Sequence, residues 1–135
     1  MSTTTSPDAD TFADLVQQLA TRVFDRRIFD VYSNTRRALQ WPVKGRYPHL
    51  VGVGKVSQRV EMVGMVETTE GLHDLDAAAR RWQALEPLQA AIYLYVPKGH
   101  CADARTLCLR ERIHVSDFRH YWFEEGTLHV ERCFA

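Results

Sequence analysis

Two polar residues with the means to do chemistry, His49 and Glu67, bracket a pair of apolar segments. The stretch between Pro48 and Glu67 reads PHLVGVGKVSQRVEMVGMVE, with its charged residues close to the ends of the apolar runs. An imidazole and a carboxylate brought together across neighbouring strands could bind a divalent cation, and Mn²⁺ or Zn²⁺ suits that pair better than Mg²⁺. A bound cation could activate a water molecule. We therefore take His49 and Glu67 as the candidate catalytic and metal-binding residues.

Glu61 and Glu70 are further acids that could assist Glu67. Glu61 lies six residues before Glu67, so alternation puts both on one face of a strand, about 20 Å apart. Those two carboxylates cannot share one ion on a straight strand.

Each candidate also has an ordinary structural interpretation. A charge at the end of an apolar strand is costly unless it is paired or reaches the rim. Glu67 could accordingly be solvated, or paired with Arg46 or Arg80. His49 could be a surface or hydrogen-bonding residue that precedes a strand.

A group of basic residues in and after the segment 33–47 predicts a nucleic-acid surface. Interleaved aromatic residues could stack on bases while the cations contact phosphates. The candidate nucleic-acid-binding residues are Arg36, Arg37, Lys44, Arg46 and Arg80, with Trp41, Tyr47, Arg81 and Trp82 as neighbours that could extend the patch. The alternative is a solvated basic face with Trp41 and Trp82 in the core.

The three cysteines, Cys101, Cys108 and Cys133, predict reduced thiols and a cytoplasmic protein, because an odd number does not suit a complete disulfide framework. Cys101 and Cys108 are two helical turns apart, about 10 Å, too far to share a tetrahedral zinc ion. A Cys–His nucleophilic pair is conceivable, but small buried thiols are the favoured interpretation.

Composition sets broad limits on the class of protein. The chain has 135 residues, 45% hydrophobic and 25% charged, with 17 basic and 17 acidic residues. This length suits one domain, and the zero net charge gives no general attraction to nucleic acid or membranes. We expect no membrane partner, because no apolar run approaches the roughly 20 residues of a membrane span. The polar, acidic N-terminus does not resemble a signal peptide.

The elements that must position these residues follow from periodicity and turn signals. Residues 1–8 are predicted to be a disordered tail and residues 9–135 a single domain. The predicted helices run from about Ala9 to Arg26, from Asp74 or Asp76 to the region of Pro87, and from His100 to Arg112. The predicted strands are Ile28–Tyr32, Leu50–Val56, Val60–Val66 and Ala91–Val96, followed by an extended segment at Ile113–Ser116 and a hairpin over 119–134 turning at Gly126. Residues 33–47 are expected to be irregular, and Val60–Val66 to be an interior strand.

This order of elements resembles the PD-(D/E)XK, or restriction-endonuclease-like, nuclease superfamily, over roughly residues 9–115. The motifs that carry the resemblance are GRYPHLVGVG, in which Pro48 matches the start of the second core strand, and VGMVETTEGL, in which Thr68 matches a variant of the third. The resemblance implies a mixed α/β (α+β) domain with a central mixed sheet flanked by helices. It also implies that His49 and Met65 stand where metal-binding acids belong, while Glu67 occupies the Lys or Glu position. A second register takes Glu67, Thr68 and Thr69 as the acid-x-Lys triplet and lacks the lysine.

Three functional hypotheses follow. The leading one is a catalytically degenerate nuclease-like domain, without a cofactor, that serves as a binding or assembly module, with nucleic acid as its candidate partner. The second is an active phosphodiesterase using Mg²⁺ or Mn²⁺ at His49 and Glu67. The third is a homodimeric interaction protein with no nucleic-acid role, joined through the aromatic C-terminal hairpin.

Overall fold

The computed structural model describes residues 9–134, and the predicted tail over residues 1–8 lies outside the described residues. Within these residues the regular structure comprises three α-helices, six strands and two short 3-10 helices, Gly71–His73 and Glu86–Leu88. The helices are α1 (Ala9–Ala20), α2 (Leu75–Gln83) and α3 (Cys101–Glu111). The strands are β1 (Phe29–Ser33), β2 (Leu50–Gly54), β3 (Val60–Val66), β4 (Ala91–Pro97), β5 (Asp117–Glu124) and β6 (Thr127–Arg132). No helix among these residues is long and apolar enough to cross a membrane.

The six strands form one mixed sheet in the order β1-β2-β3-β4-β5-β6. Strands β1, β2 and β3 form an antiparallel meander, and β5 and β6 an antiparallel hairpin. Strand β4 runs parallel to both β3 and β5, and α2 and α3 are the crossover connections that such pairs require. The mixed α/β class and the interior position of β3 are confirmed.

Helices cover both faces of the sheet. On one face Val16 and Leu19 of α1 pack in a cluster with Leu50, Val66 and Tyr95. The opposite face packs against α2 and α3 through a larger cluster, which includes Val51, Val63, Met65, Leu94, Ala78, Trp82, Ala104 and Leu107. The side chains of neighbouring residues in one strand thus point to opposite faces of the sheet, as strand alternation requires. The core is a helix–sheet–helix sandwich.

Helix α1 ends at Ala20, six residues before the predicted end at Arg26. The Thr21 hydroxyl donates to the carbonyl of Gln18 at 2.7 Å, and the Arg22 N–H donates to the carbonyl of Leu19 at 2.9 Å. These three-residue bonds tighten the last turn and end the helix. Val23 and Phe24 still reach the core from the turn that follows, so their apolar spacing was not a sign of continuing helix.

Two other boundaries shift for local reasons. Strand β2 ends at Gly54 rather than Val56, because the chain turns there and leaves Val56 exposed. Strand β5 begins at Asp117, after the segment predicted to be extended, and its hairpin with β6 turns at Glu125 and Gly126, both at positive φ. That backbone conformation is the one that two-residue hairpin turns favour, so the predicted glycine turn is confirmed.

The prediction of three reduced thiols is wrong for two of them. Cys101, at the start of α3, forms a disulfide with Cys133, which follows β6, at a Cα–Cα distance of 5.6 Å. The partners are 32 residues apart and lie on different elements, so their spacing gave no sign of the bond. Cys108 is free and buried, as predicted, and burial raises the pKa of its thiol to about 12. Cys108 is therefore an unreactive core residue.

Candidate functional site

Glu67 directly follows β3 and is one of the most buried polar residues of the described chain, with 3% exposure. Its N–H donates to the carbonyl of Tyr95 at 2.8 Å, which extends the β3–β4 pairing by one bond. Its carbonyl accepts a hydrogen bond of 2.6 Å from the hydroxyl of Tyr121. The main chain is therefore held from β4 and β5 at once, and the direction of the Glu67 side chain is fixed.

Both carboxylate oxygens of Glu67 accept hydrogen bonds from α2. Arg81 donates through Nη2 to Oε1 at 2.6 Å and through Nε to Oε2 at 3.3 Å. The indole Nε1–H of Trp82 donates to Oε2 at 2.9 Å. A bidentate guanidinium with a third donor is a strong arrangement for a buried carboxylate. The interpretation of Glu67 as a solvated residue or a partner of Arg46 or Arg80 is therefore wrong, because Arg81 holds it.

Helix α2 presents this pair of donors because its start and its inner face are fixed. The Asp74 side chain accepts from the Ala77 N–H at 3.0 Å and so caps the helix, as the sequence predicted. Trp82 is completely buried, which leaves its neighbour Arg81 at the rim with 38% side-chain exposure. The rotation of about 100° per residue turns Arg80 outward instead.

Gly71 closes the site from the connection between β3 and α2. Its carbonyl accepts from Arg81 Nη2 at 3.2 Å. A Cβ atom added at this position would lie 3.1 Å from Oε1 of Glu67 and 3.4 Å from Nη2 of Arg81. A residue with a side chain at position 71 would therefore have to displace the side chains of the ion pair slightly.

His49 uses one ring nitrogen to bind the main chain beside Glu67. Its Nδ1 accepts from the Val66 N–H at 2.9 Å, and its ring meets that of Phe12 edge-on at 5.0 Å between centroids. Burial, with a smaller contribution from the positive charge of Arg81, lowers the pKa of His49 to about 4. The ring is consequently neutral at pH 7 and carries its proton on Nε2.

Both predicted metal ligands, His49 and Glu67, already form hydrogen bonds within the protein. Metal binding by imidazole needs a free nitrogen lone pair, and Nδ1 of His49 already accepts from Val66. A cation at the Glu67 carboxylate would have to compete with the hydrogen bonds from Arg81 and Trp82. Within residues 9–134 no group of three or more His, Cys, Asp or Glu side chains is placed to hold a metal ion.

The two other candidate acids lie apart from this arrangement. Glu61 is near the opposite end of β3, where its carboxylate accepts from the Ser57 hydroxyl at 2.6 Å. Glu70 is exposed before the short 3-10 turn Gly71–His73. Met65, at the position of an expected acid, is buried in the core between the sheet and α2.

The predicted nucleic-acid residues occupy separate places. Arg37 lies 3.2 Å from Asp14 of α1, whereas the ammonium of Lys44 lies 3.3 Å from the carbonyl of Pro87, ahead of β4. Arg36 borders a hollow of about 320 Å³ that also contacts His49. Arg46 and Arg80 are exposed, on the turn after Lys44 and on α2. Contact of these five residues with nucleic acid stays a prediction.

The aromatic residues of that patch belong mainly to the interior. Trp82 is buried on Glu67, and Trp41 stacks on Tyr32 with centroids 4.4 Å apart. The interpretation that both tryptophans serve the core, rather than bases, fits these contacts. Tyr47 differs, because 47% of it is exposed.

Sequence reasoning missed the residues that decide the state of Glu67. The sequence predicts a helix at Arg81 and Trp82 and a hairpin at Tyr121, but it does not link any of them to the carboxylate. The available signal was the adjacent pair Arg81 and Trp82, fourteen and fifteen residues after Glu67. The two side chains can both donate hydrogen bonds to one carboxylate. Comparison of the chain with known protein families, with curated proteins and with solved structures found no match.

Proposed function

We propose that this chain is a catalytically degenerate nuclease-like domain that acts as a binding or assembly module, with nucleic acid as its first candidate partner. The observation that supports the proposal is the state of Glu67, whose carboxylate is engaged by Arg81 and Trp82. In an active metal-dependent site this carboxylate would face a cation and water. Here it fastens β3 to α2.

The state of His49 supports the same proposal. A neutral imidazole with its acceptor nitrogen bound to the main chain serves as a structural link between the segment before β2 and the end of β3. Its hydrogen bond to Val66 secures the fold. The resemblance implies a core of one helix, three strands, a second helix and a fourth strand, and α1, β1, β2, β3, α2 and β4 follow that order.

A cleavage assay separates this proposal from the active phosphodiesterase. Single- and double-stranded DNA and RNA are incubated with the protein and Mg²⁺ or Mn²⁺, alongside a Glu67→Gln variant. We expect no cleavage above the background shared by both proteins. Metal-dependent cleavage that disappears in Glu67→Gln would establish the active enzyme instead.

A binding assay tests the nucleic-acid partner. The fluorescence anisotropy of a labelled oligonucleotide is followed at 50 and 200 mM salt. Three phosphate contacts predict a loss of affinity of about 40-fold over that interval. Replacing Arg36, Arg46 and Arg80 together with glutamine should weaken binding, whereas Arg110→Gln, on α3, should not. Absence of salt-dependent binding would remove nucleic acid as the partner.

A second candidate function, homodimerisation, is favoured by the edge of the sheet. Among the described residues β6 pairs with β5 on one side and with no strand on the other. An antiparallel contact between two β6 strands centred on Val130 would set Glu131 opposite His129 of a second copy, an arrangement that is the same for both partners. Light scattering with Val130→Lys tests it. A monomer for the wild type would exclude this assembly.

The predicted cytoplasmic location is weakened by the disulfide. Cys101–Cys133 is a bond of a kind that reducing compartments rarely maintain. Mass spectrometry of protein alkylated at the moment of cell lysis measures its state. Two more alkylated cysteines than in the oxidised protein would support the cytoplasmic prediction.

A further inference from the structure

A cleft of about 460 Å³ opens between α1 and the ends of β3, β4 and β5. Its floor is apolar and includes Leu15, Pro97 and the ring of Tyr121. Phe123 forms one wall and is 50% exposed, an unusual position for a large aromatic side chain that no element within residues 9–134 covers. The volume falls within the range of about 300–1,000 Å³ typical of small-molecule sites. The carboxyl ends of parallel strands are a common place for such sites in α/β folds.

The polar groups of the cleft are few and mostly uncharged. Thr68 and Thr69 contribute hydroxyl groups from the segment after β3, and α1 contributes the hydroxyl of Thr11 and the amide of Gln18. Asp14 is the charged member among the described residues that line it. Asp14 therefore gives the lining one carboxylate that can receive a cation, and its present partner is the exposed guanidinium of Arg37, at 3.2 Å.

Neither Glu124 nor Lys98 adds a charge to the lining. Glu124 alternates with Phe123 along β5 and so faces the other side of the sheet. Lys98 follows Pro97, but its ammonium lies over the ring of Trp122 at 4.5 Å. Trp122 alternates with Tyr121 and Phe123 along β5 and so faces the other side of the sheet. The ammonium of Lys98 is thus directed away from the cleft.

We propose that this cleft binds a small primary amine with an aromatic body, with Asp14 receiving the ammonium group and Phe123 and Tyr121 contacting the ring. Arg37 occupies Asp14 in the structure at 3.2 Å, but both side chains are more than half exposed. An exposed pair of this kind contributes little and exchanges readily with an incoming cation. The amine would replace the guanidinium, and the apolar floor would take the ring out of water.

A titration with three matched probes tests the ligand class. The probes are 2-phenylethylamine, the neutral 2-phenylethanol and the anionic phenylacetate, added to ¹⁵N-labelled protein and followed by NMR. We expect the amine to shift the amides of Thr68, Thr69 and Phe123 saturably, with a Kd of about 1–10 mM for so small a molecule. The alcohol should bind more weakly, and the anion weakest. An anion that binds as tightly as the amine, or an amine without saturable shifts, would overturn the proposal.

Two variants with matched controls locate the contacts. Asp14→Asn should raise the Kd of the amine about fivefold and change that of the alcohol less than twofold. The control is Asp76→Asn on α2, because Asp76 forms a similarly exposed ion pair with Arg110, at 3.6 Å.

Phe123→Ser should weaken the amine and the alcohol together. Leu109→Ser, which alters an exposed apolar residue of α3, is the control and should weaken neither. An amine affinity that is unchanged in Asp14→Asn or in Phe123→Ser would contradict the assignment, since both side chains are exposed enough to be replaced without unfolding.

Discussion

At the scale of single residues, Glu67 is a carboxylate whose hydrogen-bonding capacity is used by its own fold. Burial of an ionised group is costly unless donors replace the water it loses. Arg81 and Trp82 supply three such bonds, and the half-exposed guanidinium keeps contact with solvent. The result is an acid that stabilises the junction of β3 and α2.

Glu67→Gln should therefore destabilise the protein. The substitution keeps the shape and one acceptor but removes the charge that Arg81 contacts. Hydrogen bonds to charged groups contribute about 1.5–3 kcal/mol, so we expect the free energy of unfolding to fall by about 2 kcal/mol in urea titrations. Asp76→Asn, in the exposed pair with Arg110, should change it by less than about 0.5 kcal/mol. Equal effects of the two variants would refute the structural role of Glu67.

His49 gives the stability a pH dependence. Its pKa is about 4 in the folded protein and near 6.5 in the unfolded chain, so below pH 6.5 the unfolded state binds a proton that the folded state does not. Stability from this residue is complete above pH 6.5 and is lost as pH falls toward 4. Between pH 7 and pH 5 the loss should be about 2 kcal/mol.

His49→Asn is the variant that isolates this effect. Asparagine can offer an acceptor to the Val66 N–H but does not titrate in this range. Urea unfolding of both proteins at pH 7, 6 and 5 should show a difference that shrinks as the pH falls, because only the wild type loses the contribution of His49. A constant difference across that range would show that the ring is already protonated or exposed.

At this scale the sequence could identify Glu67 and His49 as the polar residues of an apolar region, but not their partners. The donors to Glu67 come from a helix that begins eight residues later, and a rotation of 100° separates the correct arginine from its neighbour. Only the packing of Trp82 into the core decides which of Arg80 and Arg81 meets the carboxylate.

At the scale of elements, the disulfide joins α3 to the end of β6. Cys101 opens the helix and Cys133 closes the hairpin, so the bond secures the last strand of the sheet to the crossover that precedes it. Phe134 packs nearby, edge-on to Phe118 at 5.9 Å and under the guanidinium of Arg105 at 4.8 Å. The C-terminal hairpin thus has both covalent and aromatic attachments.

Replacing Cys101 and Cys133 with serine should lower the free energy of unfolding by about 3–4 kcal/mol, as expected for a bond that closes a loop of 32 residues. Thermal unfolding with and without a reductant measures the same quantity in the wild type. Cys108→Ala is the control because it leaves the disulfide intact. A reductant should therefore lower its free energy of unfolding by the same amount as that of the wild type. A wild type insensitive to reductant would show that the bond does not form.

Among the elements, periodicity and turn residues predicted the three α-helices and six strands to within a few residues, except the end of α1, but not the two short 3-10 helices. Apolar spacing continues through Val23 and Phe24 because both side chains are buried, although the backbone has already turned. Burial and helix are separate properties, and a pattern of apolar residues reports only the first.

At the scale of the whole molecule, one sheet with helices on both faces accounts for the position of the site and of the cleft. The parallel strands β3, β4 and β5 end on the same side. Glu67, Pro97 and Phe123 therefore lie toward that side, although they are distant in sequence. The strand order and the crossover helices bring these three residues to one side of the sheet. The sequence predicts this only indirectly, through the alternation of strands and helices along the chain.

The central claim is that Glu67 is a structural carboxylate, and calorimetric titration with Mn²⁺ tests it most directly. The account predicts no stoichiometric binding to the wild type, and the same weak heats for wild type and Glu67→Gln, because Arg81 and Trp82 already occupy the carboxylate. Binding of one Mn²⁺ per chain at micromolar affinity, abolished in Glu67→Gln and weakened in His49→Asn, would contradict it.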